Sequence, residues 1–417
     1  MLAPLACVCV CRANACPCVA DFNADCSLDV SDVLDFVQAF AAGDASADLG
    51  APASVLDYSD VFAYLLAFSE GCAGFDADGD GLLDCAETND GVYVSPAQTG
   101  TDPCDPDTDG DAIPDGDEVL ETAGGLDLPG LGANPLRKDI FVEVDWYEED
   151  WEDDGPQVGC PCDSTGVFHS HRPSEAAMEL VVAAFDAAPV VNRDGSTGIS
   201  LHLDCGQGAP FMGGNAIHEG PCPVAGPSAL HAVQGTNFAP ERVGYFHYAL
   251  MSHVIRRASF CSQGTGVTFE LVTDAFVLGM PADAGDIAVA GTFMHELGHA
   301  LGLEHGGNEC SDRKPNYHSV MNNAYRTQGV PFDCTETFPS GRIDYSHGTN
   351  ICVPAMQADE FRGICPEPGY PVDLNANGSI DFDLVNVVFE NCGGSSMVCD
   401  HDDWSNLRYE GILVSDP

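Results

Sequence analysis

The sequence predicts an α/β domain, a twisted mixed sheet packed against a histidine-rich helix, preceded by small modules of acidic loops and helices. Three observations predict this fold. Strand-like runs such as 140–146 alternate with helix-periodic runs after residue 137. A histidine-rich helix pattern lies at 295–305. Loops with alternating carboxylates fill much of the first 120 residues, a spacing typical of calcium sites.

The composition indicates an exported protein of several modules. A chain of 417 residues exceeds one ordinary domain. Its net charge of −52 argues against nucleic acid and anionic membranes as partners. Its 20 cysteines predict disulfides and an oxidising compartment, hence a secreted, extracellular or cell-surface location. No apolar run reaches the roughly 18 residues that a membrane span needs, so we expect no membrane insertion.

Residues 1–15 are predicted to form a signal segment. Leu2 to Cys11 is a short apolar run, and Ala13-Asn14-Ala15 fits a cleavage site of small residues.

Residues 16–72 contain an internal duplication. Leu28–Phe40 recurs as Leu56–Phe68, and each copy predicts a loop followed by an amphipathic helix. In the first copy, positions 1, 3, 5 and 12 of an EF-hand-type calcium loop are Asp21, Asn23, Asp25 and Asp32. The second copy keeps Asp48 but has Gly50 and Pro52 where oxygen ligands should be, so it predicts a relic site. The pair resembles dockerin modules, which implies a cohesin-like or cell-surface scaffold partner; a helical spacer without a partner is the alternative.

Residues 73–125 contain two stronger acidic loops. The first places carboxylates at Asp76, Asp78, Asp80, Asp84 and Glu87. The second places them at Asp107, Asp109, Asp111, Asp115 and Glu118. Alternating carboxylates converge on one hard cation, so each loop predicts its own calcium site. The segment resembles thrombospondin type 3 repeats, which implies a calcium-dependent connector; a solvated acidic linker is the alternative.

Residues 137–349 predict the α/β domain itself. Strands are predicted at Ile140–Trp146, Ile199–Asp204 and Val267–Val272. Ser174 is predicted to cap a helix that continues to about Ala187. The histidine-rich helix is predicted to begin near Gly291.

The segment 295–305 has the pattern H-E-x-x-H-x-x-G-x-x-H. His295 and His299 are four residues apart, so a helix projects both from one face toward one metal ion. Glu296 is placed to act as general base on a zinc-bound water. Gly302 allows a sharp exit from the helix, which returns His305 as a third ligand and leaves the fourth position open, as in catalytic zinc sites. The alternative is an amphipathic helix with solvent-facing histidines.

The extended motif and the turn after it resemble the metzincin clan of zinc endopeptidases. The turn at Lys314–Asn323 is similar to a Met-turn, which implies that Met321 lies beneath the metal. The segments Lys138–Asp145, Gly198–Asp204 and Ile343–Ser346 are similar to secreted bacterial members, so the resemblance covers about half of the chain.

Two features depart from the metzincin pattern. Many members have tyrosine two residues after the Met-turn methionine, where it contacts the transition state, but Asn323 stands there. Tyr325 or Tyr317 is the predicted substitute, and His318 is a further candidate contact. Gly306, the residue after the third histidine, leaves the subfamily open.

Residues 350–417 predict a C-terminal lid or buttress. A weaker calcium-type loop is outlined by Asp373, Asn375, Asn377 and Asp381, with Leu384 at position 12. Residues 401–404 are predicted to complete that loop or to cap a helix. Cys392 and Cys399 are close enough in sequence for a local disulfide.

The complete prediction is a metzincin-like α/β catalytic domain preceded by small calcium-binding loop-helix modules. Its function is secreted, calcium-stabilised hydrolysis of peptide bonds in protein or peptide substrates, with Zn²⁺ and Ca²⁺ as cofactors. Two alternatives remain. One is a non-catalytic calcium-dependent surface or scaffold protein with an inactive metzincin-like domain. The other is a zinc amidase that acts on a non-protein substrate.

Overall fold

The computed structural model describes most of the chain, in two compact units. The described residues are 20–23, 28–49, 55–70, 76–149, 169–218, 226–252, 255–257, 260–262, 265–268, 273–281, 283–390 and 396–409. The first unit comprises Met1–Lys138 with Asn192–Ser196, and the second comprises Asp139–Val191 with Thr197–Pro417. The finer division into modules stays a prediction.

The first unit is built from short helices and acidic loops. Its helices are α1 (Val30–Ala42), α2 (Tyr58–Glu70), α3 (Asp115–Val119) and α4 (Leu128–Leu131), with a 3₁₀ turn at Ala45–Ala47. Phe36 of α1 and Tyr64 of α2 occupy equivalent positions in the duplication. Their rings are buried and stack with centroids 4.0 Å apart. The repeated sequence therefore packs equivalent aromatic residues against each other.

The second unit contains a seven-stranded mixed sheet. Its strands are β1 (Asp139–Glu149), β2 (His169–Ser170), β3 (Ser200–Asp204), β4 (Ala216–His218), β5 (Phe246–Ser252), β8 (Thr265–Val267) and β9 (Ala275–Gly279). The order is β2-β1-β5-β9-β8, and β3 and β4 also pair with β1. β2 and β8 run antiparallel to their neighbours, while the other pairings are parallel. Two small antiparallel pairs lie outside this sheet, β6 (Ile255–Arg257) with β7 (Phe260–Ser262) and β10 (Val353–Pro354) with β11 (Met397–Val398).

Helices pack on one face of this sheet around the main hydrophobic core. They are α5 (Glu175–Asp186) and α7 (Asp286–Ala300), and a further helix of the unit is α6 (Pro227–Asn237). Ile140, Val142 and Val144 of β1 are buried in the core that also includes residues of α5 and α7. The predicted cap of α5 is confirmed, because Ser174 Oγ accepts a hydrogen bond from the N–H of Ala177.

Two predicted element boundaries are wrong. α7 begins at Asp286 instead of near Gly291. Gly291 is a close-packing position, because a Cβ there would collide with the carbonyl oxygen of Arg326. Of the strand predicted at 267–272, Val267 is the last residue of β8 (Thr265–Val267) and Thr268 lies outside it, while residues 269–272 lie outside the described residues.

Disulfides fasten the C-terminal region of the second unit. Cys334 pairs with Cys365, and Cys352 pairs with Cys399. The predicted Cys392–Cys399 bridge is therefore wrong. Cys352 directly precedes β10 and Cys399 directly follows β11, so the antiparallel pairing of Val353 with Val398 brings the two cysteines together. Within the described residues, no helix is both long enough and apolar enough to cross a membrane.

A cluster of buried charges lies among the central strands. Arg242 forms ion pairs with Glu143 of β1 and Asp204 of β3. Asp145 accepts hydrogen bonds from the hydroxyl of Tyr248 and from the backbone and side-chain amides of Asn215. Burial raises the pKa of Glu143 to about 7 and that of Asp145 to about 6. Arg242 therefore pairs with two of the three buried carboxylates, Glu143 and Asp204.

We expect this cluster to make the stability of the second unit fall as pH rises. Folding raises both pKa values, so the protonated carboxyls stabilise the fold at low pH, and this stability is lost as pH rises through 6 to 7. Glu143→Gln should remove on the order of 2 kcal/mol of the decline between about pH 5 and pH 8. Urea unfolding at fixed calcium measures it, with Glu179→Gln on the exposed face of α5 as control. An unchanged pH slope in Glu143→Gln would contradict the assignment.

Candidate metal centre of the second unit

The C-terminal end of α7 brings the predicted histidines together. His295 and His299 lie one turn apart on α7, which ends at Ala300. The N–H of Leu303 donates to the carbonyl of Gly298, which turns the chain back beneath the helix. Gly302 has a φ of 89°, a left-handed conformation that glycine adopts without a Cβ clash. This turn carries His305 back toward the first two histidines.

The three imidazoles converge on one point. One ring nitrogen of each lies within 4.8 Å of the others, and the Nε2 atoms of His295 and His299 are 3.2 Å apart. Two nitrogens bound tetrahedrally to one zinc ion at about 2.0–2.1 Å would be about 3.3 Å apart. The donor set is nitrogen only, with His295 buried and the other two histidines partly exposed. It therefore fits a borderline-soft ion such as Zn²⁺ with an accessible fourth position.

Backbone carbonyls orient two of these rings. Nδ1 of His295 donates to the carbonyl of Val320 at 2.8 Å, and Nδ1 of His299 donates to that of Leu303 at 2.7 Å. Because a carbonyl only accepts, each Nδ1 carries the proton and each Nε2 keeps its lone pair. Burial also lowers the pKa of His295 well below its ordinary value, so this ring is neutral. Nδ1 of His305 lies 4.0 Å from a carboxylate oxygen of Asp312.

Glu296 lies beside the triad and is only 2% exposed. The hydroxyl of Thr268 lies 2.9 Å from Oε2 of Glu296 and 2.9 Å from its backbone carbonyl. A Cβ on Gly266 of β8 would collide with the Glu296 side chain. The end of β8 therefore packs directly against this carboxylate and fixes its position.

Met321 packs beneath the histidine helix. It is fully buried, and a Cβ on Gly298 would collide with its sulfur and with the hydroxyl of Tyr345. The residue before it, Val320, supplies the carbonyl that orients His295. The turn at 314–323 therefore makes two contacts with the site: Met321 packs against α7 at Gly298, and Val320 orients the ring of His295.

The Peptidase M66 family model matches residues 278–325. The matched segment contains all of α7, the three histidines, Glu296 and Met321. No curated protein matches the chain. The short match supports a peptidase, and the histidine triad within the matched segment is able to hold a metal ion.

Asn323 and the three residues predicted to contact the transition state, Tyr317, His318 and Tyr325, each have a hydrogen-bond partner within the second unit. Asn323 donates from Nδ2 to Asp312 at 2.7 Å. The hydroxyl of Tyr317 is buried and donates to Asp403. The hydroxyl of Tyr325 lies 3.4 Å from the carbonyl of Pro315, and Nε2 of His318 lies 3.1 Å from the same carbonyl. A transition-state contact from Tyr325 stays a prediction.

The C-terminal segment packs against the turn that carries His305. The ring of His401 lies where a Cβ on Gly307 would be, and Nδ1 of His401 is 3.0 Å from Asp403. The N–H of Arg408 donates to the carbonyl of Leu301, at the end of α7. Asp403 is the N-cap residue of a 3₁₀ turn at Trp404–Asn406, but its carboxylate accepts from Tyr317 and from the N–H of Ser346. The neighbouring Asp402 accepts from the N–H of Ser405 within that turn. The sequence did not predict the contacts of His401, Asp403, Arg408 and Thr268, because these residues are far in sequence from the motif at 295–305 and share no spacing pattern with it.

The predicted calcium ligands fall into several groups. Asp76, Asp78 and Asp80 lie close enough to hold one ion, as do Asp107, Asp109 and Asp111. Asp84 accepts from the N–H of Ala77, and Glu118 is buried. These assignments stay predictions.

Two further loops are closed by their own hydrogen bonds. Asp32, predicted at position 12, accepts from the N–H of Asp29 at 2.8 Å, and its counterpart Asp60 in the second copy makes the equivalent bond with Asp57. Asp21 and Asn23 precede α1, while Asp25 lies outside the described residues. Three side chains of the C-terminal loop bond with one another, since Nδ2 of Asn375 and of Asn377 both donate to Asp381; Asp373 accepts from the N–H of Gly378.

Proposed function

We propose that the chain is a secreted, calcium-stabilised zinc endopeptidase of the metzincin type. One observation carries the proposal: three converging imidazoles with a buried carboxylate, Glu296, immediately beside them. The match to the Peptidase M66 family over the same residues supports the reaction class. Disulfides in the second unit are consistent with an extracellular location.

The residues of the site divide the work of peptide hydrolysis. His295, His299 and His305 would hold the zinc ion, which supplies a Lewis acid that polarises the peptide carbonyl and makes water nucleophilic at neutral pH. Glu296 accepts the proton of the attacking water and returns it to the leaving amine. Thr268 holds the carboxylate of Glu296 in position through its hydroxyl. Val320 orients the ring of His295 through its carbonyl, and Met321 packs against the histidine helix at Gly298.

The function is tested on the full chain in millimolar calcium. We expect about one zinc ion per chain and new amino termini in denatured casein. Removal of zinc by a chelator should abolish cleavage, and added zinc should restore it. Zinc without cleavage of any unfolded protein would favour the non-catalytic alternative. A chain that binds no zinc would contradict the proposal.

A further inference from the structure

The two acidic loops of the first unit contact each other directly. We define loop A as Asp76–Glu87 and loop B as Asp107–Glu118. The N–H of Gly116 in loop B donates to Oδ2 of Asp80 in loop A at 2.9 Å. A Cβ on Gly116 would collide with the carbonyl oxygen of Asp80. The loops therefore pack backbone against backbone, with no room for a side chain between them.

This contact creates a carboxylate group that belongs to neither loop alone. Asp80 and Glu87 of loop A and Asp115 of loop B each place an oxygen within 4.8 Å of the others. Glu87 is 5% exposed, and Asp115 is fully buried. The EF-hand spacing assigns Asp115 to a separate site in loop B, so its position beside Glu87 could not be read from either loop.

Unmet hydrogen-bonding capacity points to a ligand here. Oε1 of Glu87 accepts from the hydroxyl of Thr101, whereas its buried Oε2 has no hydrogen-bond partner among the described residues. Oδ2 of the neighbouring Asp78 is buried and unpartnered in the same way. Asp80 and Asp115 accept only from backbone N–H groups and from Thr108. Buried carboxylate oxygens without donors are costly unless a cation or a proton satisfies them.

We propose that Asp80, Glu87 and Asp115 bind one calcium ion that loops A and B share, so that the loops bind calcium as one coupled unit. An all-oxygen set of carboxylates suits a hard divalent cation. Calcium accepts irregular geometry and six to eight oxygens, whereas Mg²⁺ demands octahedral geometry and keeps its waters. The backbone contact at Gly116 transmits the effect, because neither loop can shift without moving a ligand of the shared ion.

The test measures calcium-dependent hydrogen exchange of the full chain, with separate peptides for loop A and loop B. In the wild type, both peptides should gain protection with the same calcium midpoint. Asp115→Asn in loop B should raise the midpoint of loop A about ten-fold. Glu87→Gln in loop A keeps the Thr101 bond and should raise the midpoint of loop B by a similar factor, because coupling is reciprocal. Asp90→Asn, an exposed change of equal charge outside both loops, is the control.

Each outcome decides between shared and independent sites. Shifts that cross from the mutated loop to the other one support the shared ion. Shifts confined to the mutated loop, equal shifts in Asp90→Asn, or no calcium-dependent protection in the wild type would each overturn it. Protection of the α1 and α2 peptides, which lie in the first unit outside both loops, verifies that the unit carrying each variant is folded. If Asp115→Asn disrupts loop B without calcium, the response of loop B to Glu87→Gln still decides the question.

Discussion

Glu296→Gln is expected to lower kcat for peptide cleavage by about 10²- to 10⁴-fold while the purified chain keeps its zinc. Glutamine preserves the shape of the side chain and can still accept from Thr268, but it cannot take a proton from water. The three imidazoles and the carbonyls that orient two of them are unchanged, so metal affinity should remain within a few-fold of the wild type. Cleavage of a fluorogenic peptide and zinc content, measured on the same preparation, provide the readout.

Glu304→Gln is the matched control for this variant. It removes the same charge within the same motif, but Glu304 lies beyond the end of α7 and only half-buried. Its kcat should stay close to the wild-type value. Equal losses in both variants would point to a general electrostatic effect and would contradict the role of Glu296 as proton acceptor. Loss of zinc from Glu296→Gln would instead make Glu296 part of the metal site.

The sequence predicts the centre of the site because its geometry is local. The spacing of His295 and His299 needs only a helical turn, and Gly302 needs only the positive φ that the structure shows. What the sequence did not predict depends on contacts between distant segments. Thr268 reaches Glu296 only because β8 pairs with β9 beside α7. β5 and β9 are apolar strands of ordinary length, and this pattern does not predict which strands they pair with.

Cysteine pairing shows the same limit in the C-terminal region. Sequence separation favours a short loop between Cys392 and Cys399, yet the fold pairs Cys399 with Cys352, 47 residues away. The pairing of β10 with β11 determines which cysteines meet. Strands of only two residues have too little sequence pattern to predict that pairing.

The position of Asp115 is a similar case, since its spacing within loop B does not predict that it lies close to Glu87 of loop A.

Asp403→Ala is expected to lower the free energy of unfolding of the second unit by roughly 3 kcal/mol. The carboxylate is fully buried and accepts from the hydroxyl of Tyr317 and the N–H of Ser346, with Nδ1 of His401 3.0 Å away. Alanine leaves the first two donors buried without an acceptor, and each unsatisfied donor costs about 1–3 kcal/mol. Urea unfolding in saturating calcium and zinc measures the change. Asp402→Ala, one residue earlier, removes a partly exposed carboxylate that accepts from the N–H and hydroxyl of the exposed Ser405, and should cost about 0.5 kcal/mol.

A double-mutant cycle with Tyr317→Phe separates the contact from general damage. Because Tyr317 and Asp403 share one buried hydrogen-bond pair, the double variant should be more stable than the sum of the single losses allows. Loss of Asp403 should also weaken zinc binding, because His401 then no longer holds its place against Gly307, two residues after His305. Additive losses of unfolding free energy, with unchanged zinc affinity, would show that residues 396–409 do not contribute to the position of the histidines. Coupled losses would make this segment part of the peptidase domain, since the third histidine depends on it for its position.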